Sequence, residues 1–415
     1  MSLTFRWVGE DELDRVAECR VRCYAPAAKE LTRYQELIRE DRRGQPGDYQ
    51  LAERDGRAVG TTTSLSMNMW VRGVRLPCQG VAWVGTIRSA RRGASADSAG
   101  SGVASQLMFK TVEKAREREQ VVSALMPFRV SIYEHFGYGV VERRAEWTIP
   151  VSALPTGSCA GMRYLEHDDL DAVIKLRQRA VERGRCDIET VPVEWTRRRK
   201  QGDSGFEFVD RPDDSGPVRG FMFLNEHDVG GRRYVRVVAN EYEDADALVR
   251  QLRMLGSLKD QFSGATVTLP VDVPLNYLLR EAQVPHRPVE HAAPGLVVYT
   301  RMQMRVLEHV RFFEGQALPS EARHVRGRVT VAVRETEGST SKFRLEVEDG
   351  KLRATKTDAS SDIECTDVRW ASIASGDLRA STAARLGLID VTREGAIEVL
   401  DALGAGPAPW CNEYF

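Results

Sequence analysis

Residues 6–20, RWVGEDELDRVAECR, return at 163–177 as RYLEHDDLDAVIKLR, 157 positions later and without a gap. The copies share Arg6/Arg163, Asp11/Asp168, Leu13/Leu170, Asp14/Asp171, Val16/Val173 and Arg20/Arg177, and aromatic Trp7 matches Tyr164. Each copy reads as a short strand, an acidic helix start and a helix with apolar positions at helical spacing. Six identities in fifteen positions exceed what two unrelated amphipathic helices would share. The chain is therefore expected to hold two related domains in tandem. Its 415 residues leave room for a third, each large enough to bury its own core.

The boundaries follow from the segments between. VSALPTGSCAGM at 151–162 is rich in Pro, Gly and small residues and suits a linker. The expected domains are thus 1–150, 151–296 and 297–415. The third alternates strands at 328–335 and 342–357, the latter a hairpin around Asp349-Gly350, before helices near DVRWASIASGD, STAARLGLI and REGAIEVLDALG. It reads as an α+β module.

Composition narrows the partners. Lys+Arg 59 against Asp+Glu 60 gives a net charge of −1, so no global positive field draws nucleic acid or an anionic membrane. No run reaches the roughly 18 apolar residues of a membrane span, and the start MSLTFRWVGEDELDRV carries no signal-peptide pattern. With seven cysteines, an odd number, a reducing cytoplasm is expected. Cys19 and Cys23 stand four apart on the first helix but lack a second Cys/His pair, so they read as core thiols, and no metal site is expected. Of the basic residues 50 are arginines and only 9 lysines, so an Arg-Arg pair carries little weight by itself.

The first domain runs strand, helix, hairpin at Asp55-Gly56, central strand 76–87, Gly/Ser-rich loop RSARRGASADSAGSG, helix, strand 121–128, short helix ending at Gly137, and strand. A helix N-terminus after a glycine loop offers free N–H groups and partial positive charge to a diphosphate. That order resembles the GCN5-related N-acetyltransferase fold. MPFRVSIYEHFGYG at 126–139, the repeat, the third module and the terminal WCNEYF together resemble the Eis (enhanced intracellular survival) acetyltransferase family along essentially the whole chain.

The resemblance implies a mixed α/β, α+β architecture: tandem acetyltransferase folds followed by a sterol-carrier-protein-like domain. It implies acetyl-CoA as donor and a primary amine as acceptor, on an aminoglycoside-like cation or a lysine side chain. Tyr133 would be general acid toward the leaving thiolate, and the terminal carboxylate of Phe415 would take the amine proton. Val84 and Thr86 on the central strand, with Arg91, Arg92, Gly100, Gly102 and Ala104 in the loop and helix start, would hold the donor. Glu413 is the candidate acid for the amine. The family commonly forms hexamers, so a homo-oligomer is expected. Its usual Pro-x-x-Arg-Arg-x-Gly loop is altered here: there is no proline, and against that pattern about eight extra residues stand between Arg92 and Gly102. Either Arg91-Arg92-Gly93 or Gly102-Val103-Ala104 keeps the diphosphate role, or both do. The second domain has EYEDADALVRQL after its strand, with acids at the helix start and no glycine loop, so it is expected to bind no CoA. The alternatives are a catalytically silent relative that binds acyl-CoA or regulates, and an acyltransferase for a dedicated metabolite.

Overall fold

The computed structural model describes residues 3–24, 30–41, 43–90, 102–191, 205–213, 216–280, 282 and 293–415. Two compact units result. One comprises Met1–Val141, Met302–Gly406 and Glu413–Phe415, the other Glu142–Arg301 and Pro407–Asn412. The first boundary thus lies at 141/142 instead of 150, and the third expected domain is divided between the units.

In the first unit, β1 (Leu3–Trp7), β2 (Tyr49–Arg54), β3 (Arg57–Val71) and β4 (Val74–Thr86) form consecutive antiparallel neighbours, and β5 (Val122–Leu125) pairs parallel to β4. The expected turn at Asp55-Gly56 is present, both residues at positive φ (49° and 76°), the backbone a two-residue hairpin requires. Helices α1 (Leu13–Tyr24), α2 (Leu31–Glu40), α3 (Val103–Glu117) and α4 (Val130–Glu134) complete this part, with β6 (Gly139–Val140) after them. Val16, Ala17, Cys19 and Cys23 of α1 pack with Tyr49 and Leu51, so the two cysteines are core thiols as expected. Burying such apolar side chains stabilises by roughly 1.5–3 kcal/mol each.

The second unit repeats the opening. Its strands are β7 (Arg144–Pro150), β8 (Met162–Tyr164), β9 (Arg185–Ile188), β10 (Phe206–Asp210), β11 (Gly220–Val229), β12 (Arg232–Tyr242), β13 (Gly264–Pro270) and β14 (Gly295–Tyr299). A 7-stranded sheet runs β14-β7-β13-β12-β11-β10-β8, so β7 belongs here and not to the first domain. Helix α5 (Leu170–Arg183) starts at the repeat equivalent of Leu13. The repeat is kept as physics as well as sequence. Arg6 bonds Glu12 at 2.6 Å and Arg163 bonds Asp169 at 2.6 Å, the same pair of positions in each copy. Val16 and Val173 are both fully buried, and so are Arg20 and Arg177.

The remaining strands of the first unit are β15 (Gln303–Val306), β16 (Gly327–Arg334), β17 (Thr340–Glu348), β18 (Lys351–Lys356), β19 (Ile363–Thr366) and β20 (Asp390–Val391). A 5-stranded sheet runs β18-β17-β16-β19-β20, with the hairpin at Asp349-Gly350 as read from the sequence. β15 was expected to open the third module. Instead it pairs antiparallel with both β5 and β6, between them, and completes the first sheet.

Arg305 on β15 ties the two sheets together. It is fully buried and bonds Phe136 O (3.0 Å) and Glu335 (3.2 Å), pairs with Glu337, and stands 3.5 Å from Asp367. Burial pushes the Glu335 carboxyl up, but His309, at 2.8 Å, with Arg305 and Ser341, outweighs it and holds the group at about 2, below its ordinary 4.5. A depressed carboxyl contributes stability above its unfolded value and loses it as pH falls through the folded one. The melting-temperature gap between wild type and Glu335→Gln should therefore be full above about pH 5 and close toward pH 2. A gap that stays constant across that range excludes this assignment.

Candidate active site

The two parallel strands β4 and β5 pair only from Cys78↔Val122 to Val81↔Leu125. β5 then ends, while β4 continues to Thr86. Among the described residues, no strand pairs with residues 82–86 on that side. The pairing of β3 with β4 slips at the same place, between Thr61 and Thr63, and Trp83 adopts φ 56°. A non-glycine residue at positive φ in a strand bulge marks a local distortion that the surroundings must hold.

The bulge separates two faces. Val81 and Val84 pack with Met108 and Val112 of α3, Leu125, Tyr133 and Phe136. Trp83 instead meets Tyr24 and Tyr34, edge-on to both, with ring centroids 5.7 and 5.6 Å away. One face thus carries α3 and the expected catalytic tyrosine. The other carries three partly exposed aromatic rings from α1, α2 and β4. These rings were not singled out from the sequence, because nothing in local spacing brings positions 24, 34 and 83 together.

On the first face, α3 begins beside the open part of β4. A Cβ on Gly60 would stand 2.8 Å from Val103 and 3.0 Å from both Leu107 and the Gly85 carbonyl oxygen. Glycine at 60 is what allows this approach. Gly102 is the N-cap, no side chain caps the helix, and its first turn holds no acid. The exposed Ala104 lies in that turn. The N–H groups and positive end of the dipole therefore meet no side-chain cap and no acid from the helix's own first turn. Val84 lies on this face, whereas Thr86 is buried and paired opposite Gly60. Arg91, Arg92 and Gly100 lie outside the described residues.

Tyr133 sits on α4, 5 % exposed. The turn after it is closed by the Phe136 and Tyr138 N–H groups, which donate to its carbonyl at 2.9 and 3.2 Å, with Gly137 at φ 81°. That is the left-handed helix end glycine favours. Burial alone pushes its phenol up to about 12. Beneath it runs a buried polar chain. The Tyr138 hydroxyl meets Ser123 Oγ at 2.6 Å, Ser123 bonds Gln79 at 2.7 Å, and Gln79 donates to Ser64 (2.6 Å) and Thr111 O (2.7 Å). This chain cross-links β3, β4, β5 and α3 where the opening starts.

Phe415 is also in this unit. It is 9 % exposed, and its ring lies against Gly80 on β4, where an added Cβ would stand 3.1 Å from Phe415 Cδ2. Arg43 donates to the Tyr414 carbonyl at 2.9 Å. The terminal residues are thus docked, not frayed. Glu413 is buried and engaged.

The second unit shows the same pair of strands put to other use. β12 and β13 are parallel from Tyr234↔Gly264 to Arg236↔Thr266, and β12 runs on to Tyr242. Asn412 Nδ2 donates to Asn240 O at 2.8 Å on that far half, and Asn412 N donates to Asp187 at 3.0 Å. Trp410 N bonds Arg185 O, and Arg144 lies 4.0 Å over the Trp410 ring. The following helix, Ala245–Ser257, is capped by Asp244 and has Asp246 in its first turn. Its start is acidic where that of α3 is bare.

Comparison with known proteins agrees with this geometry. Residues 4–141 match the family described as Acetyltransferase (GNAT) domain, and residues 307–412 match the Sterol carrier protein domain family. A GCN5-related N-acetyltransferase from Anabaena variabilis superposes with a TM-score of 0.82 at 17% identity, covering 100% of both chains. One from Kribbella flavida gives 0.76 at 20%, covering 100% of this chain and 98% of that one. Eis1 from Mycobacterium abscessus gives 0.77 at 18%, covering 100% of both. No curated protein sequence matches. The fold is therefore mixed α/β, with an acetyltransferase domain at the N-terminus and a sterol-carrier-like domain at the C-terminus.

Proposed function

We propose that the chain is an acetyl-CoA-dependent N-acetyltransferase acting on a primary amine. The observation that carries this reading is the opening between β4 and β5, flanked by the bare start of α3 on one face and the ring wall on the other. A diphosphate fits the α3 start, where Val103, Ala104 and Ser105 present their N–H groups. The edge of β4 at residues 83–85, beyond the end of its pairing with β5, suits the amide groups of an extended carrier arm. Acetyl-CoA supplies the acetyl group as a thioester.

In the transfer, a bond forms from the amine nitrogen to the acetyl carbon and the carbon–sulfur bond breaks. Tyr133 keeps its proton at pH 7 and donates it toward the departing sulfur. The apolar cluster around the hydroxyl raises the proton affinity of the thiolate in the same sense. The proton shed by nitrogen passes to the carboxylate borne by Phe415, a role supported by the docking of its ring against Gly80.

Release of thiol from acetyl-CoA, followed across a panel of amines, tests the reading. Amine-dependent release is expected. Ala104→Asp, which puts a negative charge where the diphosphate binds, should raise the KM for acetyl-CoA by about tenfold or more and leave the acceptor KM unchanged. Absence of release with every amine and acyl-CoA, together with no thermal stabilisation by acetyl-CoA, would support a silent relative instead.

A further inference from the structure

Arg20 is 1 % exposed, yet its guanidinium meets no carboxylate among the described residues. It donates to Thr63 Oγ1 at 2.7 Å, leaves Nε without a partner, and lies 4.6 Å from the Trp83 ring centroid and 5.5 Å from that of Tyr49. Its repeat mate shows what a neutralised version looks like. Arg177, equally buried, is gripped by both oxygens of Asp187 at 2.6 and 2.7 Å, with Glu241 at 3.5 Å. A buried, unpaired cation is expensive, so the first copy holds a positive charge that the second has cancelled.

That charge lies against the ring wall. Trp83 spends one face on Arg20, and Tyr24 and Tyr34 stand edge-on to its indole. An aromatic face attracts a cation through its quadrupole, but a second cation brought to this wall would also feel Arg20. Asp41, whose negative charge reaches Arg20, is itself paired with Arg43 at 2.9 Å, Glu30 is paired with Arg33 at 3.6 Å, and Glu413 is engaged, so each of these acids is already shared with another group. What remains is an apolar, aromatic surface with a positive charge beneath it. Such a surface takes an aromatic ring by stacking and edge contacts.

We infer that Trp83, Tyr24 and Tyr34, backed by Arg20, select an acceptor whose single primary amine is borne on an aromatic ring system, and disfavour polycations. This deepens the acetyl transfer proposed above and rests on it. A polycation would bring further charges into the field of Arg20 even after the attacking nitrogen is deprotonated, whereas an arylalkylamine brings none.

The test measures kcat/KM of the full chain at saturating acetyl-CoA with tyramine, kanamycin and spermidine. Tyramine is expected to exceed both polycations by about tenfold or more. Trp83→Ala should erase that preference. Arg20→Met should raise the polycations relative to tyramine. If Arg20→Met does not fold, Trp83→Ala alone decides. Preference for kanamycin or spermidine, or a tyramine preference that survives Trp83→Ala, overturns the inference and leaves acetyl transfer standing. No thiol release with any amine overturns both.

Discussion

Tyr133→Phe is expected to lower kcat by about 10²–10⁴-fold, the range of a lost proton donor, with little change in melting temperature. The substitution removes one oxygen and keeps the ring that packs with Val81, Met108, Val112 and Phe136. Its hydroxyl differs from that of neighbouring Tyr138, which is bound to Ser123 at 2.6 Å and is part of the scaffold. Tyr133 is shifted by burial alone, with no bonding partner contributing. Because its pKa is raised to about 12, the wild-type rate should rise with pH as the acceptor amine loses its proton, and should not fall from tyrosine ionisation until close to pH 11. Removing Phe415 in the same assay should also lower kcat, since it takes away the ring against Gly80 and moves the terminal carboxylate back to Tyr414. A Tyr133→Phe enzyme with wild-type kcat would remove the tyrosine from the mechanism.

Gly139→Ala is expected to cost about 3 kcal/mol of stability, at the upper end for overpacking. The glycine needs no unusual φ; it needs space. A Cβ there would overlap the Val368 carbonyl oxygen, a backbone atom of the helix Asp367–Ser375 that cannot rotate aside. Gly137, two residues earlier, is pressed by Asp367 and also has φ 81°. The two glycines of the FGYG motif therefore seat the sterol-carrier-like module on the acetyltransferase sheet. The predicted loss is read as a lowered thermal midpoint, accompanied by reduced activity, because α4 and Tyr133 immediately precede this contact. A melting curve within a degree of wild type would show that the helix can move aside at no cost.

The tandem repeat was legible because its spacing is fixed along the chain and its residues do local work: an Arg–acid pair, a helix start, a buried valine. The places of Tyr133 on a short helix, Val84 on the central strand and Gly102 at a helix start were legible for a related reason, since motif and element order set them. The fate of Arg20 was not. Arg20 and Arg177 are identical in the repeat, and only their partners distinguish them: Thr63 lies 43 positions away and Asp187 lies 10. The insertion of β15 between β5 and β6 was hidden because strand pairing is non-local, and its QMRV reads equally well as the start of a new module. The left-handed Trp83 was also unforeseen, since tryptophan gives no hint of positive φ and only the slipped pairing with β3 requires it.

The discontinuous first sheet has a consequence for biogenesis. β5 and β6 leave the ribosome by residue 140, but the strand that joins them begins at Gln303. At about 5–20 residues per second, the nascent chain spends roughly 8–30 seconds with those two strand edges unmatched. During that interval the acetyltransferase half is a template for mispairing with other nascent copies on the same message. Its yield in cells should therefore depend on chaperone supply and on elongation speed between residues 140 and 303, even where the purified protein refolds well.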